Sequence, residues 1–227
     1  MVTSCEIDMH RKYFLKEDFL AISFMVGIID QLGAQSVLDL GSGTGRLLQY
    51  LKMLRPDIRV VGVEPVEEFR EVGYANGLSA DELVDGDARS LHFDDGEFDL
   101  VCEFALLHHL KDPEIAVAEM LRVSKMAIVI TDMNCFAQGN MLSKKTKQLL
   151  KSFGLWWVAN SIKTRGRGYE RVGGSYVYSV FDNYKQIRKK CKSAHILNIK
   201  GGLIDPNNAS SKDPYKTACY LSLVGVK

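Results

Sequence analysis

The stretch that decides the fold is Val37–Leu48, VLDLGSGTGRLL, in which a short apolar run passes through three glycines into a helical pattern. Val37–Leu40 is apolar with one acid, which is typical of a strand buried on both faces. Glycine lacks a Cβ, so the Gly41–Gly45 segment can bend sharply and let a ligand approach the backbone. Ligands bind at the carboxyl ends of strands in open α/β sheets, and helix N-termini favour negative charge. The stretch therefore predicts the first unit of a doubly wound α/β sheet, with a ligand site in its turn.

The spacing of the glycines separates two classes of nucleotide site. The dinucleotide fingerprint, Gly-x-Gly-x-x-Gly, needs its third glycine at the position of Arg46. The pattern present is Asp-x-Gly-x-Gly-x-Gly, and its carboxylate would repel a pyrophosphate but suits a ligand that carries an ammonium group. The run resembles the nucleotide-binding motif of the class I S-adenosylmethionine-dependent methyltransferases. That resemblance implies that S-adenosyl-L-methionine is the cofactor, with S-adenosyl-L-homocysteine as product, and that it is contacted by Asp39, Gly41, Ser42, Gly43, Thr44 and Gly45.

Acidic residues follow the next strands of the pattern. The second strand, Arg59–Glu64, ends at an acid that lies 23 residues beyond Gly41 and is followed by Pro65, which stops the strand. An acid at this distance from the glycine turn can accept hydrogen bonds from ribose hydroxyls. In the family that the motif resembles, an acid beside a small residue after the third strand binds the adenine amino group. The resemblance implies further cofactor contacts from Glu64, Pro65, Asp87 (with Asp85 as the alternative), Ala88 and Glu103.

Two further runs narrow the resemblance to one branch of the family. Leu107–Pro113 reads Leu-His-His-Leu-Lys-Asp-Pro, and Glu119–Val123 reads Glu-Met-Leu-Arg-Val. Both are similar to the ubiquinone/menaquinone-biosynthesis branch of the class I enzymes, methyltransferase domain type 11. That branch usually has Leu-Lys-Pro-Gly-Gly before the fifth strand, whereas Val123–Met126 runs straight into it here. The departure puts the geometry of this turn in doubt but leaves the predicted cofactor site unchanged.

The resemblance also implies an overall architecture. We expect an α/β, Rossmann-like, doubly wound sheet of seven strands, mostly parallel and closed by an antiparallel C-terminal hairpin. A single domain would span residues 1–227. Its parts would be N-terminal helices over 10–33, a cofactor-binding core over 36–132, an aromatic and basic substrate cap inserted over 134–185 between strands five and six, and a C-terminal helix end and strand hairpin over 186–227.

The composition is that of a globular protein with an uneven charge distribution. The chain has 227 residues, 46% of them hydrophobic and 25% charged, and its formal net charge is only +1. Between Ser143 and Lys192, however, 13 Lys or Arg stand against two acids, a local net charge of +11. This asymmetry indicates an anionic partner at one surface.

The cysteines, the N-terminal residues and the apolar segments indicate in which cellular compartment to expect the protein. Five scattered cysteines without a Cys-x-x-Cys pair argue against a zinc site or a disulfide framework and favour reduced thiols. Acids at Glu6 and Asp8 argue against a signal peptide, and the longest apolar stretch, Ala21–Ile29, is too short to span a bilayer. The sequence therefore predicts a cytoplasmic protein with no membrane span and no metal site; it leaves the oligomeric state open.

The 134–185 segment is the predicted acceptor-binding cap, because it holds nine of the 21 aromatic residues and most of the local positive charge. Three interpretations stay open: a pocket for a small phosphate- or carboxylate-bearing metabolite, a nucleic-acid surface, and a solvated face whose basic side chains cover apolar surface. No RNA-binding module is recognisable, which argues against nucleic acid. The family resemblance also favours the metabolite. Predicted acceptor contacts are Trp156, Trp157, Arg165, Arg167 and Tyr176, with Lys163 and Arg171 as further anion binders.

Candidate bases lie at the ends of the fourth and fifth strands. His109, and after it His108, has the pKa range for proton abstraction near neutrality, and Asp132 could serve instead. The histidines could equally order their loop, and the aspartate could cap the following turn. The predicted function is methyl transfer by in-line displacement to an O, N or C atom of a small anionic metabolite. The alternatives are an RNA or other nucleic-acid methyltransferase and a non-catalytic, cofactor-binding regulatory module.

Overall fold

The computed structural model describes residues 16–135, 141–163, 176, 178–200 and 220–227. The helices within these ranges are α1 (Lys16–Leu32), α2 (Arg46–Leu54), α3 (Glu67–Ala75), a 3-10 turn (Leu107–His109), α4 (Pro113–Val123), α5 (Met141–Ser152), α6 (Trp156–Lys163) and α7 (Tyr184–Lys190). The strands are β1 (Ser36–Leu40), β2 (Arg59–Val63), β3 (Leu83–Val84), β4 (Phe98–Phe104), β5 (Ser124–Met133), β6 (Ser193–Lys200) and β7 (Tyr220–Val226).

The seven strands form one sheet in the order β3-β2-β1-β4-β5-β7-β6. Strands β1 to β5 are parallel, and β7 runs antiparallel to both β5 and β6. The predicted fold class is therefore confirmed. The strand order reverses direction between β1 and β4, and a crevice at such a switch point is where open α/β sheets bind ligands.

Helices cover both faces of the sheet because alternate strand residues point to opposite sides. Val37 of β1 belongs to the apolar cluster that contains Met25 of α1 and Leu48 of α2. Its neighbour Leu38 belongs to the cluster on the other face, which contains Met120 of α4. With both faces covered, the exposed carboxyl ends of the parallel strands are left to hold the site.

Several element boundaries differ from the sequence pattern by a few residues. The first described helix begins at Lys16, so the predicted residues 10–15 lie outside the described ranges, and Gly33, with φ of 64°, ends that helix. Strand β5 is longer than the apolar run Met126–Ile130 because its far half pairs with β7. Helix α4 ends at Val123 and β5 begins at Ser124, so the chain enters the strand without the usual glycine turn.

Two helices occupy the described part of the segment between β5 and α7. The sequence pattern indicates only the first of them, α5. The predicted glycine-rich loops over 164–175 lie outside the described residues. In the described ranges no helix combines the length and the apolar content needed to cross a membrane.

Candidate cofactor and transfer site

The glycine turn after β1 has a backbone that other residues adopt only under strain. Gly41, Gly43 and Gly45 all lie in the left-handed region, with φ of 68°, 55° and 72°. A Cβ on Gly41 would lie 2.8 Å from Cδ1 of Leu106, and one on Gly45 would lie 2.2 Å from Cδ1 of Leu78. The turn is thus closely packed from behind, and glycine is required both for its dihedral angles and for its space.

The Glu64 side chain joins the tip of β2 to this turn. Its Oε2 accepts a hydrogen bond of 2.8 Å from the Gly43 amide, and its Oε1 accepts one of 3.0 Å from the Val66 amide. Burial raises the pKa of the Glu64 carboxyl, and the two amide bonds oppose that rise. A carboxylate has about four lone-pair sites, so further hydroxyl donors can still be accepted. Pro65, which follows it, is exposed at the same tip.

We expect Glu64→Ala to weaken S-adenosylmethionine binding about 10- to 150-fold, the equivalent of ~1.5–3 kcal/mol for hydrogen bonds to a charged group. The loss would arise both from the missing ribose acceptor and from the freed Gly43 amide. Calorimetric titration measures it, and Glu68→Ala, an exposed acid on α3, is the matched control. Equal affinity in the two variants would remove Glu64 from the cofactor site.

Asp39 lies under the turn rather than on its surface. It is 3% exposed, its backbone carbonyl accepts a 2.9 Å hydrogen bond from Ser42 Oγ, and Cys102 Sγ lies 3.7 Å from its Oδ1. Burial is the largest cause that raises the pKa of Asp39 to about 7 from its ordinary 3.8. A nearby ammonium group would favour the charged form of this carboxyl. Thr44, also in the turn, is buried.

The loop after β3 carries two acids, each paired with an arginine. Asp87 forms an ion pair of 2.6 Å with Arg89 and accepts its amide at 2.8 Å, and this pairing lowers the pKa of Asp87. Asp85 pairs with Arg70 at 2.8 Å, and Ala88 is buried in the apolar cluster. Asp87 would therefore meet an adenine amino group as a charged acceptor held in place by its own arginine.

Arg70 was not singled out by the sequence pattern, and it ties together the tips of β2 and β3. Its Nη1 donates a 2.7 Å hydrogen bond to the Glu64 carbonyl as well as pairing with Asp85. A cavity of about 230 Å³ lies beside these tips, lined in part by Val63 and Gly86. Its lining includes Asp85, the alternative adenine contact, but neither Glu64 nor Asp87.

The tip of β4 approaches the glycine turn from the other side. Glu103 is fully buried, and its Oε2 accepts a 2.8 Å hydrogen bond from the Leu106 amide, while its Oε1 has no hydrogen-bond partner among the described residues. Burial, followed by the charge of Asp132, raises the pKa of Glu103 well above its usual range. Ala105 has φ of 61° and donates its amide to the Thr131 carbonyl at 2.8 Å. Glu103 in this arrangement supports the loop from beneath, and the residues after it face the turn.

A carboxylate–histidine pair lies at the tips of β4 and β5. His108 Nδ1 lies 2.7 Å from Asp132 Oδ1, and the His108 amide donates to Oδ2 at 3.1 Å. Asp132 is fully buried, and its contact with Nδ1 leaves Nε2 as the ring nitrogen that other groups could use. His109 is exposed, and its ring lies against that of His108 with centroids 4.1 Å apart and the ring planes tilted by 40°.

Part of the predicted cap reaches this pair. The Tyr176 amide donates a 2.7 Å hydrogen bond to the His108 carbonyl, and Tyr178 is buried nearby, with its hydroxyl donating to Asn183 at 2.9 Å. Trp156 is half-buried in α6. Arg165, Arg167, Arg171 and the side chains of Trp157 and Lys163 lie outside the described residues.

Comparison with known proteins gives one family and many relatives. Residues 38–127 match the methyltransferase domain family. Demethylmenaquinone methyltransferase of Roseiflexus castenholzii is 31% identical over 121 residues, which cover 52% of this chain and 47% of the relative. The aligned segments span 26% to 51% of the lengths of the curated relatives.

Solved structures share the fold at low sequence identity. An S-adenosylmethionine-dependent methyltransferase from Mesorhizobium loti is 13% identical with a TM-score of 0.56, and the match covers 85% of this chain and 90% of that one. The plantazolicin methyltransferase BpumL, whose structure contains S-adenosylhomocysteine, is 15% identical with a TM-score of 0.55 over 96% and 87% of the two chains. The turn with three glycines of positive φ and the acids at the strand tips fit S-adenosylmethionine as the cofactor. Residues 38–127 thus match the methyltransferase domain family, and this part of the chain is similar to demethylmenaquinone methyltransferases.

Proposed function

We propose that this protein transfers a methyl group to an O, N or C atom of a small anionic acceptor. The observation that carries the proposal is the order of groups along the carboxyl edge of the sheet. Glu64 holds the glycine turn at the β2 tip, and the Asp132–His108 pair lies at the β4 and β5 tips. S-adenosylmethionine, when bound, supplies a methyl group made electrophilic by its sulfonium. A cofactor half and a proton-accepting half therefore lie side by side.

The residues of the cofactor half bind and orient. When the cofactor is bound, Glu64 would accept hydrogen bonds from the ribose hydroxyls, Asp39 would favour the ammonium end, and Asp87 would accept a hydrogen bond from the adenine amino group. In-line displacement discharges the sulfonium, so alignment and exclusion of water matter more than the stabilisation of new charge. Holding two reactants in line can lower a barrier by about 7–11 kcal/mol.

Between the two histidines, the geometry favours His108 as the base over His109, the first choice from sequence. A general base is usually oriented by a third group, and Asp132 provides this for His108 through Nδ1. Asp132 itself is fully buried and already accepts two hydrogen bonds from His108. Its role in this proposal is therefore to position His108 rather than to act as the base. Base catalysis would apply to acceptors that keep their proton until transfer.

We expect His108→Asn to lower kcat by about 10²–10⁴ for a hydroxyl or ammonium acceptor, with unchanged affinity for S-adenosylmethionine. Asp132→Asn should act in the same direction and alter the pH profile, because the amide would favour the wrong imidazole tautomer. His109→Asn is the matched control. A larger loss in His109→Asn than in His108→Asn would return the role of base to His109.

The anionic acceptor is supported by the charge of the 143–192 segment, where 13 basic residues stand against two acids. Arg165 and Arg167 would pair with a phosphate or carboxylate, and Trp156, Trp157 and Tyr176 would pack against its apolar part. The Tyr176 backbone already contacts His108, which brings one end of the cap to the transfer half.

The experiment is a screen for S-adenosylhomocysteine formation with aromatic carboxylates, aromatic phosphates, matched neutral analogues and RNA. We expect turnover with anionic small molecules and a strong loss in Arg165→Glu/Arg167→Glu, whose cofactor affinity should not change. Turnover on RNA with a steep salt dependence would replace this acceptor class with nucleic acid. Cofactor binding without turnover on any acceptor would favour a regulatory module.

A further inference from the structure

The helical pair α5–α6 exposes large apolar side chains on both helices. Leu142 and Ile162 are each 75% exposed, and Phe153 is 69% exposed. Positions 142, 149 and 153 lie seven and then four residues apart, with Phe153 directly after the end of α5. Positions 155, 158 and 162 lie three and then four apart, with Leu155 directly before the start of α6, so each set follows helical spacing. We call the following six residues the apolar stripe: Leu142, Leu149, Phe153, Leu155, Val158 and Ile162.

The stripe is a concentration rather than a scatter of surface residues. Eleven large hydrophobic side chains are exposed in the described ranges, and six of them lie within the 23 residues 141–163. None of the described side chains in this segment is buried. Contiguous exposed apolar surface marks an interaction site.

The same segment is purely basic. Residues 141–163 contain five lysines and no acid. Lys145 is exposed, while Lys147 donates a 2.8 Å hydrogen bond from Nζ to the Cys135 carbonyl and so fixes α5 to the end of β5. The remaining lysines of the segment are Lys144, Lys151 and Lys163. The partner of this surface therefore has to offer negative charge and apolar material together.

We propose that α5–α6 docks the protein on an anionic lipid bilayer, with the apolar stripe entering the interface and the lysines meeting the headgroups. Helices with an apolar face, lysines and no acids lie in the plane of such an interface. A second copy of this chain would bring five lysines against five. Nucleic acid is bound through stacked aromatic rings, whereas five of the six stripe residues are aliphatic.

The test is flotation of the full chain with phosphatidylcholine vesicles that contain or lack phosphatidylglycerol. We expect the protein to float with the phosphatidylglycerol vesicles alone. Phe153→Ser/Ile162→Ser should abolish flotation, whereas Met53→Ser, which removes a side chain of equal exposure, 69%, on α2, should not. Lys145→Glu should weaken binding by more than about tenfold, and Lys190→Glu, an exposed lysine at the end of α7, should have a smaller effect.

Titration with S-adenosylmethionine shows that each variant is folded, because the stripe lies outside the cofactor site. Failure of the wild-type protein to float with phosphatidylglycerol vesicles would overturn the proposal. So would flotation that survives loss of Phe153 and Ile162, since binding would then be electrostatic only. A wild-type dimer that dissociates in Phe153→Ser/Ile162→Ser would assign the stripe to a second copy and overturn it as well.

Discussion

Gly43→Val is expected to abolish S-adenosylmethionine binding. Gly43 lies at the middle of the turn with φ of 55°, and its amide donates to Glu64. A valine there would add a branched side chain to the turn that we expect the cofactor to contact and would strain the backbone by about 1–2 kcal/mol. Calorimetric titration of the purified variant measures the loss directly.

Gly33→Val is the control for backbone strain. Gly33 has a similar φ of 64°, and a Cβ there would meet nothing within 4 Å. Both variants should lose comparable stability in urea unfolding, but only Gly43→Val should lose the cofactor. Normal binding by Gly43→Val would show that the turn after β1 does not hold S-adenosylmethionine.

The second prediction is that protonation of Asp39 makes the free energy of unfolding depend on pH. Burial places the pKa of Asp39 at about 7 in the folded chain against an ordinary 3.8. Because the folded state holds this proton more tightly than the unfolded state, the group favours folding at low pH. Its contribution is lost as pH rises from about 4 through about 7, a change of roughly 3–5 kcal/mol in the free energy of unfolding.

Asp39→Asn should remove this component, so the free energies of unfolding of the variant and the wild type diverge with rising pH, in favour of the variant. Burial also raises the pKa of Glu64 and Glu103, and their contribution remains in both proteins. Cofactor affinity should move the opposite way, because an ammonium favours ionised Asp39, and should rise with pH up to about 7 only in the wild type. Urea unfolding and calorimetry across this range measure both slopes. Parallel slopes in the two proteins would mean that Asp39 does not titrate there.

Local sequence patterns were enough to predict most of the fold and to propose the residues of the cofactor half of the site. The glycine spacing depends on backbone dihedral angles within five residues, and the structure confirms positive φ at Gly41, Gly43 and Gly45. β2 ends before Pro65 because proline has no backbone N–H to donate to a neighbouring strand. The class of sheet follows from the alternation of strands and helices.

Contacts between distant segments could not be predicted. Only the parallel register of β4 and β5 brings Asp132 to the loop after β4 and decides that His108, not His109, meets it. The positive φ of Ala105 also depends on this pairing, because its amide bonds to Thr131, and no sequence signal marks an alanine for it. Helical periodicity marks α5 as amphipathic, but only the fold shows that its apolar face is exposed.

The most direct test of the central claim is calorimetric titration with S-adenosylmethionine and, separately, with NAD. We predict saturable binding of S-adenosylmethionine and none of NAD, because Asp39 would repel a pyrophosphate and Arg46 replaces the third glycine of the dinucleotide motif. A second series of titrations contains anionic acceptors. It tests whether the acceptor must order the cap before S-adenosylmethionine can bind. Comparable binding of NAD, or no binding of S-adenosylmethionine with or without acceptor, would contradict the account.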